Sequence, residues 1–150
     1  MANKTLWATE SAATLLSTEL NNVADDATAV DGADYDNATN KYRWADFFFF
    51  GTFDAACDSG AYVELHIFYK MDGTHYGDAE DGDVANVQPN ANTRVGVFII
   101  DAQADAYAQC LRVPLSPFAF RAAVTLKTGQ DLTNVDTHWL KMYPYNEELQ

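Results

Sequence analysis

The sequence predicts a mainly β protein, built as a sandwich or barrel, and three observations carry that prediction. From Lys41 onward apolar residues recur at every second position, which is what a strand with one buried face requires. At least six such segments follow one another without an intervening helical period. Eight Tyr, nine Phe and three Trp among 150 residues suit pleated, half-buried strands and are too many for a disordered chain. A chain of this length fits one domain with one hydrophobic core.

The first element in order is the exception. Ala12, Leu16, Leu20 and Val23 recur at spacings of four, four and three among good helix formers, which predicts a helix near residues 10–24. Residues 25–40 are rich in Asp, Asn, Ala and Thr and read as loop. Residues 1–40 are thus read as an N-terminal helical arm and loop, and residues 41–150 as the β domain.

Within that domain the clearest strands are Tyr62 to Lys70 and Phe118 to Lys127. The first places Val63, Leu65, Ile67 and Tyr69 on one face and Glu64, His66 and Lys70 on the other. The second alternates Phe118, Phe120, Ala122, Val124 and Leu126 against Ala119, Arg121, Ala123, Thr125 and Lys127. Tyr42 to Phe50, Arg94 to Asp101, Ala106 to Val113 and Val135 to Tyr143 complete the set. The run Phe47-Phe48-Phe49-Phe50 loses alternation, so it is buried on both faces or one face meets the helix or a partner chain; burial of the whole run is the favoured expectation because contiguous apolar strand segments are usually core. Asp101 to Ala106 and Lys127 to Asp131 are short enough for hairpins, the latter with Gly129 to supply a positive φ. Residues 71–93 lack any period, and loops of that length are usually functional or disordered.

The formal charge is −13, from 22 acids against nine Lys and Arg. Such a field repels phosphate backbones and anionic lipid, so neither nucleic acid nor membrane is an expected partner. The start MANKTLWATES has no apolar core of a signal peptide, and no apolar run has the length of a membrane helix.

Chemistry is sparse. His66, His75 and His138 lie far apart in the chain, and no nucleophile elbow, HExxH or phosphate-cradling glycine loop is present, so no catalytic residue is assigned and no enzyme is expected. His66 and His138 are expected at the surface or in an interface. Cys57 and Cys110 have no metal-ligand spacing and read as buried free thiols, with a single disulfide open in an oxidising compartment. Asp78, Glu80, Asp81 and Asp83 are weak candidates for calcium, a hard cation that takes oxygen ligands; a solvated acidic loop is the plainer reading, and no cofactor is assigned. Glu64 and Asp46 on neighbouring strands would resemble a glycosidase dyad, although 22 acids make chance pairs common. Tyr62, Phe68 and Trp139 on outer strand faces suit a protein interface or sugar stacking, with core burial as the alternative.

Four segments, TLWATESAATLLSTELN, GAYVELHIFYKMDGTHYGD, LRVPLSPFAFRAAVTLKTGQ and LKMYPYNEELQ, occur in an order that resembles the capsid decoration, or cement, proteins of tailed bacteriophages. The resemblance is one of pattern, without a signature motif. It implies an antiparallel jelly-roll-like β-sandwich on the outer surface of the virion capsid, often a homotrimer, which binds the major capsid protein and copies of itself and bridges neighbouring subunits. Leu6, Trp7, Leu16, Leu20, Tyr62, Phe68 and Trp139 are then the candidate interface residues. The alternatives are a tail or fibre accessory protein of the virion, and a carbohydrate-binding β-sandwich module with a host-surface glycan as partner. A hydrolase with hidden carboxylates comes last.

Overall fold

The computed structural model describes residues 5–9, 11–77 and 89–149. Among these residues nine strands form two packed antiparallel sheets, the expected jelly-roll-like β-sandwich, joined by connections that hold a one-turn α-helix and a 3-10 turn. The strands are β1 (Thr5–Thr9), β2 (Ala13–Leu16), β3 (Thr28–Val30), β4 (Trp44–Thr52), β5 (Tyr62–Tyr69), β6 (Arg94–Ile99), β7 (Asp105–Pro114), β8 (Phe120–Lys127) and β9 (Trp139–Leu149). The five-stranded sheet runs β1-β9-β4-β7, with β2 also on the free side of β9, and the four-stranded sheet runs β3-β8-β5-β6.

The core lies where the inward residues of the two sheets meet. Phe47, Phe49, Leu140 and Met142 from the first sheet face Val63, Leu65, Phe98, Val124 and Leu126 from the second, and the Phe49 and Phe98 rings lie 5.7 Å apart across the gap. Each fully buried side chain of this size contributes ~2 kcal/mol of transfer free energy.

The segment expected as a helix at 10–24 is instead β2 followed by the 3-10 turn Thr18–Leu20. Leu16 and Leu20 are fully buried, as helical spacing also required, but β2 takes its hydrogen bonds from the free edge of β9. The only α-helix among the described residues is α1 (Asn37–Asn40), where the Asp36 carboxylate caps the Thr39 N–H and Lys41 closes in the left-handed region. β1, β2 and β3 thus tie the first forty residues into both sheets.

Both short connections expected as hairpins cross between the sheets: β6 and β7 belong to different sheets, as do β8 and β9. Gly129 does take a positive φ, 71°. At the β6/β7 corner the chains press together so closely that a Cβ on Gly96 would collide with Cys110 Sγ.

One end of the four-stranded sheet is covered on its outer side. Residues 70–77 fold back so that Tyr76 packs with Phe68, Ala123 and Val30. The Tyr76 hydroxyl donates to Asp34, which also pairs with Lys70 at 3.0 Å and Arg121 at 2.8 Å. Both cations lie over the Tyr76 ring. Partial burial would raise the Asp34 carboxyl, but donation by Tyr76, Arg121 and Lys70 holds it down at about 2.

Candidate functional site

The outer face of the five-stranded sheet is built by the other half of the phenylalanine run. Because Phe47 and Phe49 point into the core, strict alternation turns Phe48 and Phe50 outward, where they are half-buried. Register then sets their neighbours. Phe50 lies opposite Tyr107 and Trp139, Phe48 opposite Gln109 and Lys141, and Asp46 opposite Tyr143. The expected burial of the whole run is therefore corrected: β4 keeps period two, and only one of its aromatic faces is core.

The rings form a platform. Phe50 stacks on Tyr107 at 4.3 Å and 27° and lies 5.9 Å from Trp139. Phe48 meets Tyr143 edge-on at 5.4 Å and 83°. Tyr107 remains 76% exposed. Between Trp139 and Tyr143 the surface dips into a cavity of about 430 Å³, with Phe48, Lys141 and Asp46 as its other walls. The Lys141 ammonium sits 4.6 Å from the Trp139 ring centre, a cation–π distance. The Asp46 carboxylate accepts the Arg112 N–H at 2.7 Å and the Tyr145 hydroxyl at 3.3 Å. Two strands of a rigid sheet thus hold aromatic walls and two opposite charges without a hinge, the lining expected of a preformed ligand site.

Of the interface and acid candidates singled out in the sequence, only Trp139 and Asp46 belong to this site. Tyr62 is half-buried on the outer face of the opposite sheet. Phe68, Leu16 and Leu20 are corrected from interface to core, each fully buried. Leu6 and Trp7 lie in β1, paired with Glu148 and Glu147 of β9; their side chains lie outside the described residues. So do Asp78, Glu80, Asp81 and Asp83, and among the described residues no group of three or more His, Cys, Asp or Glu converges on a metal position.

The carboxylate pair considered from the sequence does not form a dyad. Asp46 is on the outer face of the five-stranded sheet and Glu64 on the outer face of the other, so the whole sandwich separates them. His66 and His138 are not surface residues, being 1% and 2% exposed. His66 Nδ1 meets Thr93 Oγ1 at 3.0 Å, and Nε2 faces Glu64 at 3.4 Å. Burial lowers its pKa, and Arg94 adds to that, against the opposing pull of Glu64. His138 accepts the Thr52 N–H at Nδ1 and meets the Thr133 carbonyl at Nε2. Both are structural joints. Cys57 and Cys110 are free, and burial pushes the Cys57 thiol up to about 11, far from a reactive thiolate.

Phe48, Phe50, Tyr107, Lys141 and Tyr143 escaped sequence reading. The signal was present, since period two continues through Phe47 to Phe50 once Ala45 is taken as an inward residue. What hid it was the equal hydrophobicity of both faces.

No protein-family model matches the sequence. No curated protein matches it. Among solved structures, the chain is similar to the CBM36-1 domain of a multidomain xylanase from the hindgut metagenome of Trinervitermes trinervoides, with 11% identity, 90% of this chain and 94% of that chain covered, and a TM-score of 0.45. It is also similar to the carbohydrate-binding module CBM36 in complex with calcium and xylotriose, with 10% identity, both chains fully covered, and a TM-score of 0.39. Identities and TM-scores of this size transfer no residue role from either module.

Proposed function

We propose that the protein is a carbohydrate-binding β-sandwich module that takes its ligand on the aromatic face of β4, β7 and β9. One observation supports this reading: the 430 Å³ cavity whose walls are Trp139 and Tyr143, whose floor is Phe48 and whose polar groups are Lys141 and Asp46. The size falls within the range of small-ligand sites. The C–H face of a pyranose is apolar and slightly positive, so it lies well on the negative face of an aromatic ring, while its hydroxyls need a donor and an acceptor at the rim. Asp46 is the only carboxylate among the described residues that line the cavity, and the reading gives it a role in holding sugar hydroxyls.

A glycan array, followed by titration calorimetry on its best ligand, tests the reading. The protein should retain a saccharide with micromolar to millimolar affinity. Trp139→Ala should weaken it at least tenfold while leaving the circular dichroism spectrum unchanged. No retention of any saccharide by folded protein sinks the reading.

A second reading, capsid decoration, has its own supporting observation. Val97 and Ile99 on β6 and Leu111 on β7 are exposed apolar side chains outside the cavity, and adhesive contacts between subunits need such surface. Saturable sedimentation with purified expanded capsids, undiminished by Trp139→Ala, would favour it.

A further inference from the structure

We infer that the saccharide taken by this face is acidic, a chain of uronic-acid type whose carboxylates meet Lys141 and the basic side chains further along the same face. The inference rests on the carbohydrate reading above and adds the ligand's charge.

The distribution of cations carries it. The molecule has 22 acids for nine basic side chains, so an ammonium or guanidinium should find a carboxylate easily. Lys70, Arg94, Arg112, Arg121 and Lys127 each hold one within 3.0 Å. Among the described residues Lys141 holds none; it lies over Trp139 and lines the cavity. The nearby acid, Asp46, is already turned toward the Arg112 N–H and the Tyr145 hydroxyl.

The same face continues toward Trp44, six residues before Phe50 on β4 and on the same side, about 20 Å away at the rise of an extended strand. There the Arg112 guanidinium lies 5.1 Å from the Trp44 ring centre. Beyond it Trp44 lines a second cavity of about 410 Å³ together with Lys41 and Arg43, which also hold no carboxylate among the described residues. Half of the eight described basic side chains thus lie beside two tryptophans in a strongly acidic molecule: Lys141 at Trp139, and at Trp44 the side chains of Lys41, Arg43 and Arg112, the last already paired with Glu147. A neutral glycan would use those groups only as hydrogen-bond donors and leave their charge without a counterpart. A chain with a carboxylate on successive sugars matches both the rings and the charges. A phosphodiester strand fits less well, because its denser negative charge meets the field of the remaining acids.

Oligouronides and their carboxyl-reduced counterparts, equal in linkage and length, are titrated into the protein at low salt, with oligothymidine as a third ligand. The oligouronide should bind about tenfold more tightly than its reduced form. Lys141→Gln should erase most of that preference by weakening the oligouronide several-fold more than the reduced form, which also loses the ammonium as a donor, and Lys141→Arg should restore it. Equal affinity for the two forms overturns the inference while the carbohydrate reading stands. Binding of neither form, with any other saccharide also ignored, removes both. Tighter binding of oligothymidine also overturns it. An unchanged melting temperature in each variant keeps loss of binding distinct from loss of fold.

Discussion

Asp31 is among the few charged groups that the fold buries, at 8% exposure, and burial pushes its carboxyl from 3.8 up to about 6. The Ala33 N–H donates to it at 3.0 Å and opposes the rise, while Glu19 adds to it. The native state therefore holds the proton more tightly than the unfolded chain does. Stability from this group is fully present below about pH 4 and is lost as pH rises through 6, by roughly 3 kcal/mol in all. Asp31→Asn keeps an acceptor for Ala33 and removes the charge. It should stabilise the protein by ~1–3 kcal/mol at pH 8, with the gain gone at pH 4, as read from urea unfolding at both values. A gain of the same size at both pH values would rule out this account. The sequence marks Asp31 only as one acid in a loop, because parity and composition report which way a side chain points and not what later covers it. The same limit explains Phe68 and His66. Both have the outward parity read from the sequence, but residues 70–77 and Thr93 close over them.

Between β6 and β7 the controlling contact is Gly96 against Cys110, one residue from each sheet. A side chain on Gly96 has no space, because Cys110 Sγ occupies the position its Cβ would take. Gly96→Ala should cost ~1–3 kcal/mol by overpacking. Cys110→Ala should recover much of that loss in the double variant, giving a clear coupling in a double-mutant cycle. Additive losses in that cycle would mean that the two chains have room to part at this corner. The strands themselves were legible: the alternation read from Tyr62 to Lys70 and from Phe118 to Lys127 overlaps β5 (Tyr62–Tyr69) and β8 (Phe120–Lys127), with the inward faces as read. The partners were not legible, because short connections fit a hairpin and a crossing between stacked sheets equally well. At the N-terminus, spacings of four, four and three fit a helix, yet an isolated helix of that length is marginal in water. The open edge of β9 supplied ladder partners and long-range burial for Leu16 and Leu20, which outweighed helix propensity.

For the whole molecule, the charge of −13 was legible at once, but its geography was not. The sequence spreads nine basic residues over the chain, and only register brings Lys141 and Arg112 to one aromatic face. This division has opposite consequences for stability and binding. Self-repulsion among surplus acids destabilises the compact state and is screened by salt. The surface ion pairs that salt would also weaken, such as Lys127 with Asp26 at 2.5 Å, contribute only ~0–1 kcal/mol each. Raising sodium chloride from about 20 to 500 mM, which shortens the screening length from roughly 20 to 4 Å, should therefore raise the melting temperature by a few degrees. The same change should weaken binding of an acidic saccharide severalfold and leave its carboxyl-reduced form untouched. Differential scanning fluorimetry and calorimetry along one salt series read both effects. A melting temperature that falls with salt would show that ion pairs, and not surplus acids, govern the electrostatics of the fold. Parallel weakening of both ligands would mean that salt acts on the aromatic platform itself and not on the charges beside it.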